Sequence, residues 1–204
     1  MAAAALALYV AWFVLAFGVR TFIHLRRTGD SGFKGVGGRP WSLEWSAGVL
    51  FAVALFVGVA APVAAIAGLD PIDPIGPLGA WTGWVGWVGA ALATICVAAT
   101  LAAQLSMGTS WRIGVDESER TDLVTGGAFD LVRNPIFSAM LLTAVGLTMM
   151  VANVVAIAGL AALVVALELQ VRGVEEPYLA AVHGDQYLAY TRRVGRFVPR
   201  IGRV

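Results

Sequence analysis

The chain has 204 residues, of which 59% are hydrophobic and only 13% charged, with 14 Lys+Arg against 13 Asp+Glu. A soluble domain carries roughly a quarter charged residues, so polar surface is too scarce for a water-soluble globule, and apolar surface too abundant for a disordered chain. The near-zero net charge gives no electrostatic reason for a nucleic-acid partner. One cysteine (Cys96) and two distant histidines (His24, His183) argue against a disulfide framework or a bound metal.

A bilayer core of ~30 Å needs ~20 apolar residues as helix. Residues 2–19 form a first uncharged block. It lacks the basic start of a signal peptide and is followed by Arg20, Arg26 and Arg27, so it predicts a transmembrane helix. Residues 45–68 and 78–107 are the second and third blocks, the third long enough to tilt or protrude. Between them Pro71, Pro74 and Pro77 mark a stiff connector. Residues 135–167 are the fourth. As one helix it would run ~50 Å, too long for one crossing. Asn153 sits mid-block, where an amide is costly in lipid but acceptable at a turn. The block therefore splits into helices 135–150 and 153–168, a short hairpin with a re-entrant pair as the rival reading.

The basic residues test this topology. They fall in three groups: 20–44, 108–134 and the tail from Arg172. Five crossings place all three groups on one side, whereas four would split them. The positive-inside rule makes that side cytoplasmic and the N-terminus external. The expected fold is all-α and polytopic. It has about five transmembrane helices, the last two a short hairpin, and a cytoplasmic C-terminal helical tail. Residues 1–107 would hold helices 1–3, and residues 108–204 the catalytic half.

Candidate chemistry lies next to the membrane. Asn134 is a preferred N-cap residue and Pro135 suits the first helical position. A helix start there offers backbone N–H groups and a positive dipole end to an anion. Gly126 and Gly127 just upstream permit close backbone approach to a ligand. Gly173 and Pro177 flank Glu175-Glu176, where the fifth helix should bend or restart, with Glu168 and Arg172 just before. Carboxylates this near the membrane need a partner, either an arginine or a cationic ligand. Tyr187 and Tyr190 share a helical face ahead of Arg192-Arg193, which reads as a basic amphipathic helix on the lipid surface. Gly83, Gly86 and Gly89 read as a close-packing stripe between helices.

The run from Leu123 through Gly126-Gly127 to Arg133-Asn134-Pro135-Ile136-Phe137, followed by Glu175-Glu176 and by residues 183–200, resembles the isoprenylcysteine carboxyl methyltransferase family. These are integral-membrane enzymes using S-adenosyl-L-methionine. The family has an Arg-His-Pro-x-Tyr signature, a helical hairpin, then Glu-Glu. Here Asn134 replaces the usual His and Phe137 the usual Tyr, so a titratable imidazole is lost. The resemblance implies that Arg133, Asn134, Pro135, Ile136 and Phe137 line the cofactor pocket. Arg133 and the helix start would suit the methionine carboxylate. Glu175 and Glu176 would suit the ammonium or ribose hydroxyls. Tyr187, with Tyr190, would close the pocket. Arg172 and Arg133 are the candidate catalytic residues, Arg172 orienting an acidic group of the acceptor.

The expected acceptor is a lipophilic small molecule or a prenylated or other lipid, reached sideways from the bilayer of a bacterial-type plasma membrane. Membrane lipids would be partners, with no nucleic acid and no metal. The competing functions are an NADPH-dependent membrane reductase of sterols or enoyl lipids and a non-catalytic membrane scaffold. A dinucleotide carrying phosphates would favour basic residues where Glu175 and Glu176 stand.

Overall fold

The structure is a computed structural model and describes residues 1–33, 35–68, 82–114 and 122–203. The 69–81 connector, with its three prolines, lies outside the described residues.

The described chain is helical. Helix α1 (Ala2–Phe13) passes through a π-helical segment (Val14–Val19) directly into α2 (Arg20–Thr28), so these pieces form one rod. Gly29 ends it with a left-handed φ of 78°. Then follow α3 (Leu43–Ile66) and α4 (Thr82–Ser106). The fourth apolar block divides as expected, into α5 (Pro135–Val151) and α6 (Val154–Gln170). Four helical rods are long and apolar enough to cross a membrane, and α5 is a shorter apolar helix. The protein is an integral-membrane protein.

Asn153 explains the split. Its side chain accepts from the Ala156 amide at 2.8 Å, capping α6, and donates to the Ala61 carbonyl of α3 at 3.1 Å. Both ends of a buried amide are thus satisfied, as lipid surroundings demand. Each arm of the hairpin has 17 residues, about 25 Å of helix. That is slightly less than the ~30 Å core.

Helix α6 does not stop at Gly173. It continues through a second π-helical segment (Val171–Glu175) into α7 (Glu176–Arg193), which kinks at Gly184, where φ is 50°. The sequence expectation of a bend becomes a π-turn. The apolar part ends at Leu167. The charged residues of this rod begin at Glu168.

Packing pairs α4 with α5 and α3 with α6, with α1 laid against α3, α4 and α5. Small residues permit this. A Cβ on Gly89 would collide with the Gly146 carbonyl, and one on Gly159 would sit 3.2 Å from the Gly58 nitrogen. Gly89 is the member of the glycine stripe that meets a neighbouring helix backbone, whereas a Cβ on Gly83 would meet open space. Tyr9, Trp12, Ala16, Val97 and Met140 form the main core, with Trp12 edge-on to Tyr9 and Phe17 at 5.6 Å.

Arg20 departs from expectation. It does not lie in a loop but is buried within the first rod. Its guanidinium donates to the Gln104 and Gly108 carbonyls at 3.3 and 2.7 Å, and stacks 4.4 Å from the Trp111 ring. It therefore satisfies the carbonyl end of α4, where a cation also complements the helix dipole. Gln104 ties back to the first π segment through the Ala16 carbonyl at 3.0 Å. A bridge between Phe33 and Ile113 then closes the loop after α2 onto the segment after α4.

Candidate active site

The charged end of the bundle is closed by its own tail. Beyond α7, residues 194–203 fold back along residues 132–138. The Arg133 and Asn134 amides donate to the Gly195 and Arg196 carbonyls at 2.8 and 3.1 Å, and Ser138 Oγ donates to the Phe197 carbonyl at 2.7 Å. Gly195 is required here, because a Cβ would strike the Val198 and Ile201 carbonyls.

Arg133 is the centre of this clasp. Its Nη1 donates to the Thr191 and Val194 carbonyls. Its Nη2 donates to Gly202 O at 3.1 Å and to Glu176 Oε1 at 2.7 Å. Arg196 completes the group with two bonds to Glu176, both 2.8 Å. Burial pushes Glu176 up, but the bonds and charges of Arg196 and Arg133 outweigh it, leaving its carboxyl below the ordinary range. In turn, the Glu176 bond raises Arg196. Two charges face one carboxylate in a fork geometry, the strong form of ion pair.

Asn134 stands at the N-cap position of α5 with Pro135 at its first turn, as expected. Its side chain makes no cap bond. The Nδ2 group turns instead to the Arg196 carbonyl at 3.3 Å, so Asn134 serves the clasp.

Beneath the clasp lies a cavity of about 810 Å³, within the range of small-molecule sites. It is lined by Arg133, Asn134, Pro135, Ile136, Phe137, Glu175, Glu176, Tyr187 and Tyr190. These sequence-predicted residues share one lining, whereas Arg172, Gly126 and Gly127 do not join it. Arg172 is 61% exposed, paired with Glu168 on the outer face of the rod, and is not part of the lining. Gly126 and Gly127 also lie outside the lining, in the turn that leads to α5. Tyr187 and Tyr190 face inward rather than toward lipid. Both are buried, and Tyr190 donates to the Phe129 carbonyl at 2.6 Å. Burial, then the charge of Glu176, pushes Tyr187 up to about 12; it stays a neutral donor.

Glu175 differs from its neighbour. Burial pushes its carboxyl up to about 7, although a bond from Gln170 and the charge of Arg112 pull the other way and Glu176 adds to the rise. Arg112 lines the cavity, with its guanidinium 5.2 Å from the Tyr178 ring. Arg112, Gln170 and Tyr178 were not singled out from sequence. Arg112 reaches the site because the Phe33 and Ile113 segments pair, a contact without a local sequence signal.

The other end of the cavity is mostly apolar. Phe13 and Phe17 from the first rod, Phe51 and Leu55 from α3, and Met140 and Leu167 from the hairpin enclose it. Carboxylate, guanidinium and amide groups thus gather by the clasp, while the lining from the first rod, α3 and α4 is mostly apolar, with polar members such as Thr21, Glu44 and Gln104. Such a cavity suits a polar cofactor meeting an amphipathic acceptor.

Residues 81–186, just over half the chain, match the phospholipid methyltransferase family. No curated protein matches the chain. Among solved structures, it is similar to the eukaryotic intramembrane Ras methyltransferase, isoprenylcysteine carboxyl methyltransferase. The TM-score is 0.54 at 14% identity, over 97% of this chain and 98% of that one. At that identity the likeness speaks for the fold. The family match and the membrane architecture together make this chain a member of the phospholipid methyltransferase family, a membrane methyltransferase.

Proposed function

We propose that this protein transfers a methyl group from S-adenosyl-L-methionine to a lipophilic acceptor at the cytoplasmic membrane interface, with its N-terminus external. The observation that carries this reading is the 810 Å³ cavity, polar at the clasp end and mostly apolar toward the bilayer. Its residues fit the cofactor. Glu175, held near neutrality by burial, gains an ionised state when it meets an ammonium or a pair of ribose hydroxyls. Arg112 takes the carboxylate role, since Arg133 is committed to the clasp and Arg172 points away. Pro135, Ile136 and Phe137 offer an apolar wall beside the α5 start, and Tyr187 closes the pocket.

When bound, the cofactor supplies an activated sulfonium methyl group. The chain's own task is to hold the acceptor in line at close range and exclude water. A carboxylate or thiolate acceptor requires no base. The bond formed is methyl to acceptor. The bond broken is methyl to sulfur, whose electron pair stays on the departing thioether. Within this reading residues 108–204 carry the cofactor side, while α1 and α3 contribute the acceptor wall.

Calorimetric titration of the detergent-purified protein with S-adenosylhomocysteine tests the reading, with NADPH in parallel. Micromolar binding of the former alone is expected. Binding of NADPH alone would turn the site over to reduction.

A further inference from the structure

The geometry points to a gate, formed by Leu55 and Met140, that sets how far the acceptor's apolar tail reaches along the bundle. This rests on the proposed lipophilic acceptor and adds the part of the molecule that selects it. A second, smaller cavity of about 50 Å³ lies deeper in the helices. Along each of four helices the linings of the two cavities follow one another. On α5 the large cavity takes residues 135–140 and the small one 140–151. On α3 the large one ends at Leu55, and the small one takes residues 54–62. On the first rod the small chamber takes 5–12 and the large one begins at Phe13. On α6 the small chamber ends at Leu163 and the large one resumes at Leu167. Leu55 and Met140 are the residues common to both linings. The two spaces are therefore one column, interrupted at a single level.

That level lies five residues into α5, about 7.5 Å along its axis, and the column continues to Val151, about 24 Å along. Gly58 and Gly159 line its far part, where α3 and α6 approach so closely that a Cβ on Gly159 would sit 3.2 Å from the Gly58 nitrogen. The two halves of the gate differ in stiffness. The Leu55 backbone is fixed by the Tyr9 hydroxyl, which donates to its carbonyl at 2.6 Å. Met140 is buried but unbranched, and an unbranched thioether adapts its rotamers readily. Trp12 lines the far chamber, is buried, and its Nε1 finds no hydrogen-bond acceptor among the described residues. Its volume exceeds the ~30 Å³ share of one liquid water, enough for the end of a hydrocarbon chain. A lipid acceptor whose head meets the cofactor site at Glu175 and Arg112 has this column as its continuation. Short tails stop at the gate, and longer ones must displace Met140.

The test uses the full chain in one fixed nonionic detergent. Saturated straight-chain fatty acids of increasing length are the probes, some carrying bromine on the last carbon. Length dependence of binding is compared between wild type, Met140→Ala, Met140→Val and Met140→Phe, and homocysteine-cofactor binding is measured on the same samples. Comparison within one detergent cancels partitioning. Met140→Ala should raise the long-to-short affinity ratio about tenfold or more, and Met140→Phe should lower it, as methylene-sized pocket changes do. Quenching by the terminal bromine should increase in Met140→Ala, and that increase should vanish when Trp12→Phe is added. Met140→Val gives the same direction if the alanine variant does not fold. An identical length profile in all folded variants overturns the gate. Loss of S-adenosylhomocysteine binding in wild type would remove the methyl-transfer reading instead, and the gate would then stand or fall on the fatty-acid profile.

Discussion

Glu175 and Glu176 are neighbours, yet they belong to two regions of opposite character. Glu176 sits in the clasp, where Arg133 and Arg196 saturate it and hold it ionised. Glu175 sits on the cavity wall, where burial outweighs Arg112 and brings it to about 7. A carboxylate at a membrane surface is stabilised either by the protein or by what the protein binds. The clasp shows the first solution and the cavity wall the second. The sequence motif supplies both acids. The fold assigns one to architecture and the other to ligand.

The largest expected effect breaks the clasp. Arg133→Ala leaves Glu176 with Arg196 alone and abandons the Thr191, Val194 and Gly202 carbonyls, so stability should fall by about 3 kcal/mol or more. Denaturation in detergent, with limited proteolysis of the tail, measures this. If stability holds while S-adenosylhomocysteine binding vanishes, Arg133 belongs to the cavity and the contrast drawn here collapses.

Glu175→Gln should do the reverse, lowering affinity for S-adenosylhomocysteine about tenfold at pH 8 with little loss of stability. The pH dependence sharpens the point. The Glu175 pKa is raised in the folded state from the ordinary 4.5 to about 7. The folded state therefore binds the extra proton between those values, and stability falls as pH rises from about 4.5 to about 7. Ligand affinity should move oppositely, rising through about pH 7 as the carboxylate ionises. Denaturation midpoints and calorimetry across the same buffers should show opposed slopes in wild type, both flattened in Glu175→Gln.

The smallest effect is expected at Arg172. It pairs with Glu168 on an exposed face, and such pairs contribute ~0–1 kcal/mol. Arg172→Ala should leave stability and S-adenosylhomocysteine affinity essentially unchanged. A tenfold loss of affinity in a stable protein would restore Arg172 to the site.

Much of the fold was legible because a bilayer imposes a length. Uncharged blocks counted the helices, and Asn153 divided the fourth because an amide inside hydrocarbon needs a turn to satisfy it. Arg133 to Phe137, with Glu175, Glu176 and Tyr187, share the lining of one cavity. Roles were less legible. Arg133 and Arg172 both read as charges near a pocket. Whether a guanidinium faces a ligand, a tail or water depends on contacts some sixty residues away. Arg20 followed an apolar block and so read as a helix end. Its acceptors are carbonyls at and just past the end of α4, more than eighty residues later, and no local pattern announces them.

The two π-helical segments border the cavity on opposite sides, Val14–Val19 in the first rod and Val171–Glu175 ahead of α7. Such a segment carries one residue more than the α-helical turn it replaces. An α-helical turn in place of 171–175 would hold one residue fewer, so shortening this segment by one removes the bulge and leaves the flanking helices in register, whereas the same deletion in the regular part of α6 would turn everything beyond it by about 100°. Only in the second case would Tyr187 and Tyr190 swing off the cavity and Glu176 off its arginines. The π segment is thus the stretch of this rod that can lose a residue and keep its site.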